Sequence, residues 1–291
     1  MFFSSWLRKP NAKPRTSRRT NSTFRPRLEI LEGRDVPSTL TVTNNLDDGS
    51  SPKGSLRYEI GKAHNGDTIV FAPALDGQTI TLRGSELDIA KNMTIQGPGA
   101  GHLTISGGRG VTSINGVRVF EVEFHATVTL SGLTITGGGG TAHSAIGYFT
   151  PYDNDGGGIL NLGTLTVSGC TVSGNYVDPN SASSYGGGIY NAGTLTVTGS
   201  TISGNYATYV ADVALNPAPM NRGGGIYNAA GATLTVSHTT VSGNFAGSGG
   251  GGIYNAGTAA ALTVLDCTFS SNRPDNISGP YTDGGGNTFS Y

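Results

Sequence analysis

The stretch Gly186-Gly187-Gly188-Ile189-Tyr190-Asn191-Ala192-Gly193-Thr194-Leu195-Thr196-Val197-Thr198-Gly199-Ser200-Thr201-Ile202-Ser203-Gly204-Asn205 decides the fold, because the chain carries four versions of it. The copies begin at Gly156, Gly186, Gly223 and Gly250, the last with a small insertion. They bring Ile159, Ile189, Ile226 and Ile253 into register, then Leu165, Leu195, Leu234 and Leu262, then Val167, Val197, Val236 and Val264. Repetition at this scale means stacked units, each too small to bury its own apolar face.

Inside one copy, aliphatic residues alternate with Thr and Ser, and Gly or Asn punctuates between runs. Period two with β-branched residues predicts short strands, and the punctuation predicts tight corners. One copy, Gly186 to Tyr206, spans 21 residues and reads as three strands joined by bends, one turn of a parallel β-helix. Successive turns would stack at about 4.8 Å. The fold class is therefore all-β, a single right-handed parallel β-helix, with the hand taken from the general preference of parallel crossovers.

The same register produces polar columns. Asn161, Asn191, Asn228 and Asn255 form one; Asn175, Asn205, Asn244 and Asn272 form another. Stacked amides can bond one another and the corner backbone groups that sheets leave unpaired, so both are expected to be architectural ladders. Cys170 and Cys267 occupy equivalent places three turns apart, about 14 Å, beyond the roughly 7 Å reach of a disulfide. Two free thiols are predicted.

Of 291 residues only 13% are charged and 47 are Gly, and the net charge is -1. Eight of the 18 Lys and Arg lie between Arg8 and Arg27. Residues 1–38 mix these with Pro, Ser and Thr and read as a disordered basic leader, with a nucleic-acid arm as the alternative. The β-helix is assigned to 39–291: cap and first coils at 39–100, irregular coils at 101–155, regular repeats at 156–291. Beyond the leader the chain is acidic, so the repeat domain is not expected to bind nucleic acid. No run is long enough to span a membrane.

Ser55-Leu56-Arg57-Tyr58-Glu59-Ile60-Gly61-Lys62-Ala63 places Leu56, Ile60 and Ala63 on one helical face, with Ser55 as N-cap and Asn65-Gly66 as stop. A short amphipathic helix there would cover the open first coil. The last residues, Asn287 to Tyr291, provide no evident cap, which points to end-to-end self-association or an early stop.

Three resemblances add to this reading. Arg27 to Ser38 resembles the LExLExRxVPS element near the start of many exported or surface proteins of planctomycete bacteria, which implies export to the cell surface or beyond. Leu40-Thr41-Val42-Thr43, Gly54-Ser55-Leu56-Arg57-Tyr58-Glu59-Ile60 and the segments through Ala100 resemble the CSLREA-type block that begins bacterial β-helix surface proteins, with Gly54 in place of Cys and Tyr58 in place of Glu. Gly187-Gly188-Ile189 and Phe269-Ser270-Ser271-Asn272 resemble the repeats of chlamydial polymorphic membrane proteins. That likeness implies a surface-displayed adhesive shaft.

Chemistry is sparse. β-helix enzymes such as polysaccharide lyases and glycoside hydrolases need clustered carboxylates on one outward face, and the repeats fill that face with Thr, Ser and Tyr. Asp153-Asn154-Asp155-Gly156 starts like a calcium loop but lacks the later ligands, so Asp153 and Asp155 are a weak Ca²⁺ candidate beside a plain turn, and no cofactor is otherwise expected. Arg109, Arg118, Glu121, Glu123 and His125 are read as solvated strand edges that do not converge. A catalytic reading is kept as the alternative to a non-catalytic one.

Binding fits better. Tyr190, Tyr227 and Tyr254 follow the inward Ile in three copies, with Leu160 in the first, and are expected to stack as an exposed column; Tyr176, Tyr206 and Phe245 make a second. Such columns can recognise sugar rings and partner side chains or stabilise their own sheet. All inserts fall at one corner, at 177–185, 207–222 and 246–249, and project from one side. The loop from Thr208 to Arg222, with Tyr209, Asp212 and Arg222, is the predicted contact element. The expected function is an adhesive or structural module, toward a polysaccharide or a surface protein.

Overall fold

In each copy the Thr-Leu-Thr-Val alternation makes strands, because the β-branched residues fit a pleated surface and the aliphatic ones share a face. Residues 36–47, 52–109, 116–140, 155–177, 183–208 and 220–291 are described by the structure, a computed structural model. One rung runs Ile189–Asn191, Thr194–Thr198, Thr201–Ser203 and then a two-residue strand Tyr206–Ala207. Every strand pairing is parallel and joins one rung to the next. Among the described residues the main coil has sheets of nine, seven and eight strands, so its cross-section is three-sided. Nine rungs at about 4.8 Å make a rod on the order of 40 Å long.

The register is the one the repeats predict. Ile159, Ile189, Ile226 and Ile253 are neighbours on successive rungs of the seven-stranded sheet, and Leu165, Leu195, Leu234 and Leu262 on the nine-stranded sheet. All are fully buried, as is the Val167, Val197, Val236, Val264 file. At about 1.5–3 kcal/mol for each buried aliphatic side chain, these files are the main stabilising term.

Both asparagine ladders form. Asn161 Nδ2 donates to Asn191 Oδ1 at 2.7 Å, Asn191 to Asn228 at 2.7 Å and Asn228 to Asn255 at 2.9 Å. The second runs from Asn175 through Asn205 and Asn244 to Asn272 at 3.0, 2.9 and 2.9 Å and continues to Asn276 at 2.8 Å. Asn161 Oδ1 has no partner, because its register neighbour Val122 carries no donor. A further corner column links Cys170 N to Ser200 Oγ, Ser200 N to Thr239 Oγ1 and Cys267 N to Asn287 Oδ1. Both cysteines are free and buried, and burial pushes their thiols up.

The triple glycine has a steric origin. Gly186 holds φ at +69°, and a Cβ on Gly187 would meet the carbonyl oxygen of Tyr206. Only glycine lets the corner backbone approach so closely.

The predicted helix is Leu56–Lys62, with Ser55 Oγ accepting from Tyr58 N. Leu56, Ile60 and Ala63 are buried against the first coil. Arg57 grips Asp47 with Nε to Oδ1 at 2.6 Å and Nη2 to Oδ2 at 2.9 Å, and donates to the carbonyls of Ser85 and Glu86. Gly54, where the resembled block has Cys, sits at φ +84° with Thr43 Oγ1 in the way of any Cβ. At the other end Ile277–Ser278, Thr282–Asp283 and Thr288–Phe289 add a final rung to all three sheets, and Phe289 stacks on Phe269 at 5.0 Å.

Candidate functional site

The inserts leave and rejoin the coil between the eight-stranded and seven-stranded sheets, and each side of that corner carries one aromatic column. On the seven-stranded sheet the outward file is Asp88, Glu121, Leu160, Tyr190, Tyr227, Tyr254 and Ser278, one residue per rung. Tyr190 and Tyr227 stack at 5.2 Å with 14° between planes, and Tyr227 and Tyr254 at 5.4 Å with 3°.

This column is not the exposed one expected from the alternation. Leu160 is 1% and Tyr190 7% exposed, and Tyr227 and Tyr254 are half-buried. The reason lies in the inserts: Ser183–Tyr185 and Met220–Arg222 pair with each other over this face. Tyr185 lies against Tyr227 at 4.6 Å, and the Arg222 guanidinium sits 4.7 Å above the Tyr254 ring. Burial, reinforced by Tyr185 and Tyr254, pushes the Tyr227 phenol up to about 12. With Leu162 the column forms a second small core outside the main one.

The open column is the other one. Tyr176–Val177, Tyr206–Ala207 and Phe245–Ala246 make a three-stranded parallel sheet whose inward residues Val177, Ala207 and Ala246 pack together. Tyr206 is 42% and Phe245 37% exposed, their rings 6.3 Å apart and tilted by 35°. Tyr176 is covered by the Arg109 guanidinium at 4.1 Å. Arg273 continues the file next to Phe245 and is exposed.

The middle of the chain converges where divergence was expected. The strand Phe120–Val122 begins after a bend, so Arg118, expected at a solvated edge, is buried and pairs with Glu121 Oε2 at 2.7 Å while donating to the Asp155 carbonyl at 3.0 and 3.2 Å. Asp88 and Glu121 are register neighbours. Burial pushes Glu121 up to about 6, with Glu86, Glu123 and Asp88 adding to the shift against Arg118. Asp88 is raised by burial and then by Glu123 and Glu86. Asp155, 5% exposed, is raised by burial to about 7 although its Oδ1 accepts from Tyr185 N at 2.9 Å. A cavity of about 290 Å³ lies beside this file, between the helix and Asp88.

Of the residues singled out in the sequence, Tyr190, Tyr227, Tyr254 and Arg222 come together, but as a roofed stack. Tyr209, Asp212 and Asp153 lie outside the described residues. Asp155 belongs with Arg118 and Tyr185. Reasoning from the sequence read Glu121 as a solvated strand edge and did not single out Asp88, because both lie outside the regular repeats, where only the pairing register reveals a shared face. Among the described residues no group of three or more His, Cys, Asp or Glu side chains is placed to hold a metal ion. Nor is any described helix long and apolar enough to cross a membrane.

No curated protein matches the sequence. The model of the right-handed β-helix region family matches residues 78–289, most of the coil just described. With its all-parallel sheets and stacked rungs, the chain belongs to the right-handed β-helix family.

Proposed function

We propose that the chain is a non-catalytic binding module, exported to the cell surface or beyond, that engages a polysaccharide or a surface protein at its insert-bearing corner. The observation that carries this reading is the pair Tyr206 and Phe245, open to solvent in register on one rigid sheet. Flat aromatic faces gain from stacking on sugar rings and partner side chains, and a stiff scaffold loses little freedom on binding. Export is supported by the LExLExRxVPS-like element at 27–38.

The test is retention of the purified chain on insoluble polysaccharides and on surface proteins of the source cells. Tyr206→Ala with Phe245→Ala is expected to abolish retention at unchanged melting temperature; retention that survives the pair overturns the reading. Accessibility of the chain to protease on intact cells checks display.

A second reading, a polysaccharide lyase or glycoside hydrolase, is favoured by one observation: Glu121 and Asp88 occupy adjacent rungs of one outward file, both raised. A carboxyl held near 6 can donate a proton at neutral pH while a neighbour acts as base. New reducing ends or unsaturated products that vanish in Glu121→Gln would establish it.

A further inference from the structure

The two ends of the open column carry the same charge. Arg109 lies over Tyr176 and Arg273 follows Phe245 in the parallel register, so the file reads guanidinium, ring, ring, ring, guanidinium along the coil axis. Tyr176 and Arg273 are three rungs apart, about 14 Å at 4.8 Å per rung. Both arginines are exposed, and among the described residues neither forms an ion pair. The nearest carboxylate in sequence, Asp275, is occupied at the corner, accepting from Gly250 N, Gly251 N and Ser278 Oγ. A chain of net charge -1 thus keeps a local pair of cations beside two exposed aromatic rings.

We propose that this strip takes an anionic polysaccharide laid along the coil axis, its sugar faces on Tyr206 and Phe245 and its acidic groups on Arg109 and Arg273. The proposal rests on the binding reading above and names its ligand class. Guanidinium is suited to this role, because its planar donors meet a carboxylate in a two-bond fork and remain charged at every working pH. The stack of Arg109 on Tyr176 holds one guanidinium in place before the ligand arrives, so less side-chain freedom is lost on contact. A neutral chain could use the rings but would draw nothing from either charge.

The experiment compares binding of the whole chain to a polyuronate and to the same polymer with its carboxyls methyl-esterified. The polyuronate is expected to bind about tenfold or more tighter, a difference of about 1.4 kcal/mol or more. Salt near 1 M, where charges are screened beyond about 3 Å, should erase that advantage and leave the ester unaffected. Arg109→Ala with Arg273→Ala should bring the polyuronate down to the level of the ester, whereas Tyr206→Ala with Phe245→Ala should abolish both. Equal affinity for the two polymers, or an unchanged preference in the double arginine variant, overturns the anionic ligand while leaving the binding module standing. Binding of both polymers that survives loss of the two rings overturns the aromatic strip itself, and no binding of either polymer by the unaltered chain overturns the anionic polysaccharide, while retention on surface proteins and other polysaccharides still decides the binding module. Melting curves of each variant separate these outcomes from misfolding.

Discussion

The two aromatic columns have the same local construction and opposite fates. Tyr190, Tyr227 and Tyr254 each precede a ladder asparagine; Tyr206 and Phe245 each follow one. Both columns are thus held in register by buried amide chains. What separates them is the roof: Ser183–Tyr185 and Met220–Arg222 lie over the first column and leave the second open. The inserts therefore give the two faces different work. One face became a second core and the other kept Tyr206 and Phe245 open to solvent.

The comparison can be broken most forcefully at a ladder. Asn205 accepts from Asn175 N and Nδ2 and donates to Val172 O and Asn244 Oδ1. Asn205→Ala would orphan several buried groups at about 1–3 kcal/mol each, so a loss of roughly 3–5 kcal/mol is expected in urea unfolding. A loss below about 1 kcal/mol would show that the amides do not hold the register.

Next comes the roofed column itself. Tyr227→Ala leaves a hole between Tyr190, Tyr254 and Tyr185 and should cost about 2–4 kcal/mol in the same measurement. If it is as mild as a surface change, the stack is not a core.

The roof is tied down in part by Asp155, whose Oδ1 takes the Tyr185 N–H. Its folded-state value of about 7 lies above the usual carboxylate range, so the folded chain holds the proton more tightly than the unfolded chain does. Stability is then undiminished below about pH 4 and falls as pH rises from about 4 to about 7. Asp155→Asn should flatten that slope and raise stability at pH 8 by about 1–3 kcal/mol, with little change at pH 4. A melting temperature that keeps its pH slope in the variant would remove Asp155 as the cause.

The smallest expected effect sharpens the contrast best. Tyr206→Ala should cost less than about 1 kcal/mol of stability, the level of a surface substitution, while removing ligand binding. A large stability loss would place Tyr206 in a core like that of Tyr227.

Much of this was legible from spacing. The strand positions in the four copies, both asparagine ladders, the free buried cysteines and the Ser55-capped helix follow from period two, fixed-period repetition and helix-end chemistry, all of which are local signals. The irregular coils were less legible. Residues 117–122 look like one alternating strand, yet the strand starts at Phe120, and the bend before it turns Arg118 toward Glu121 and Asp155. Alternation predicts two faces only where the backbone is straight.

The sequence by itself determined the coil, because residues that recur at a fixed interval and alternate in polarity can bury themselves together only by stacking turn on turn. Only the tertiary structure decided which aromatic column meets the solvent and that Asp88 and Glu121 share a face. Those outcomes depend on where inserts of unequal length fold back and on which rungs become neighbours, and both are settled by packing between residues tens of positions apart.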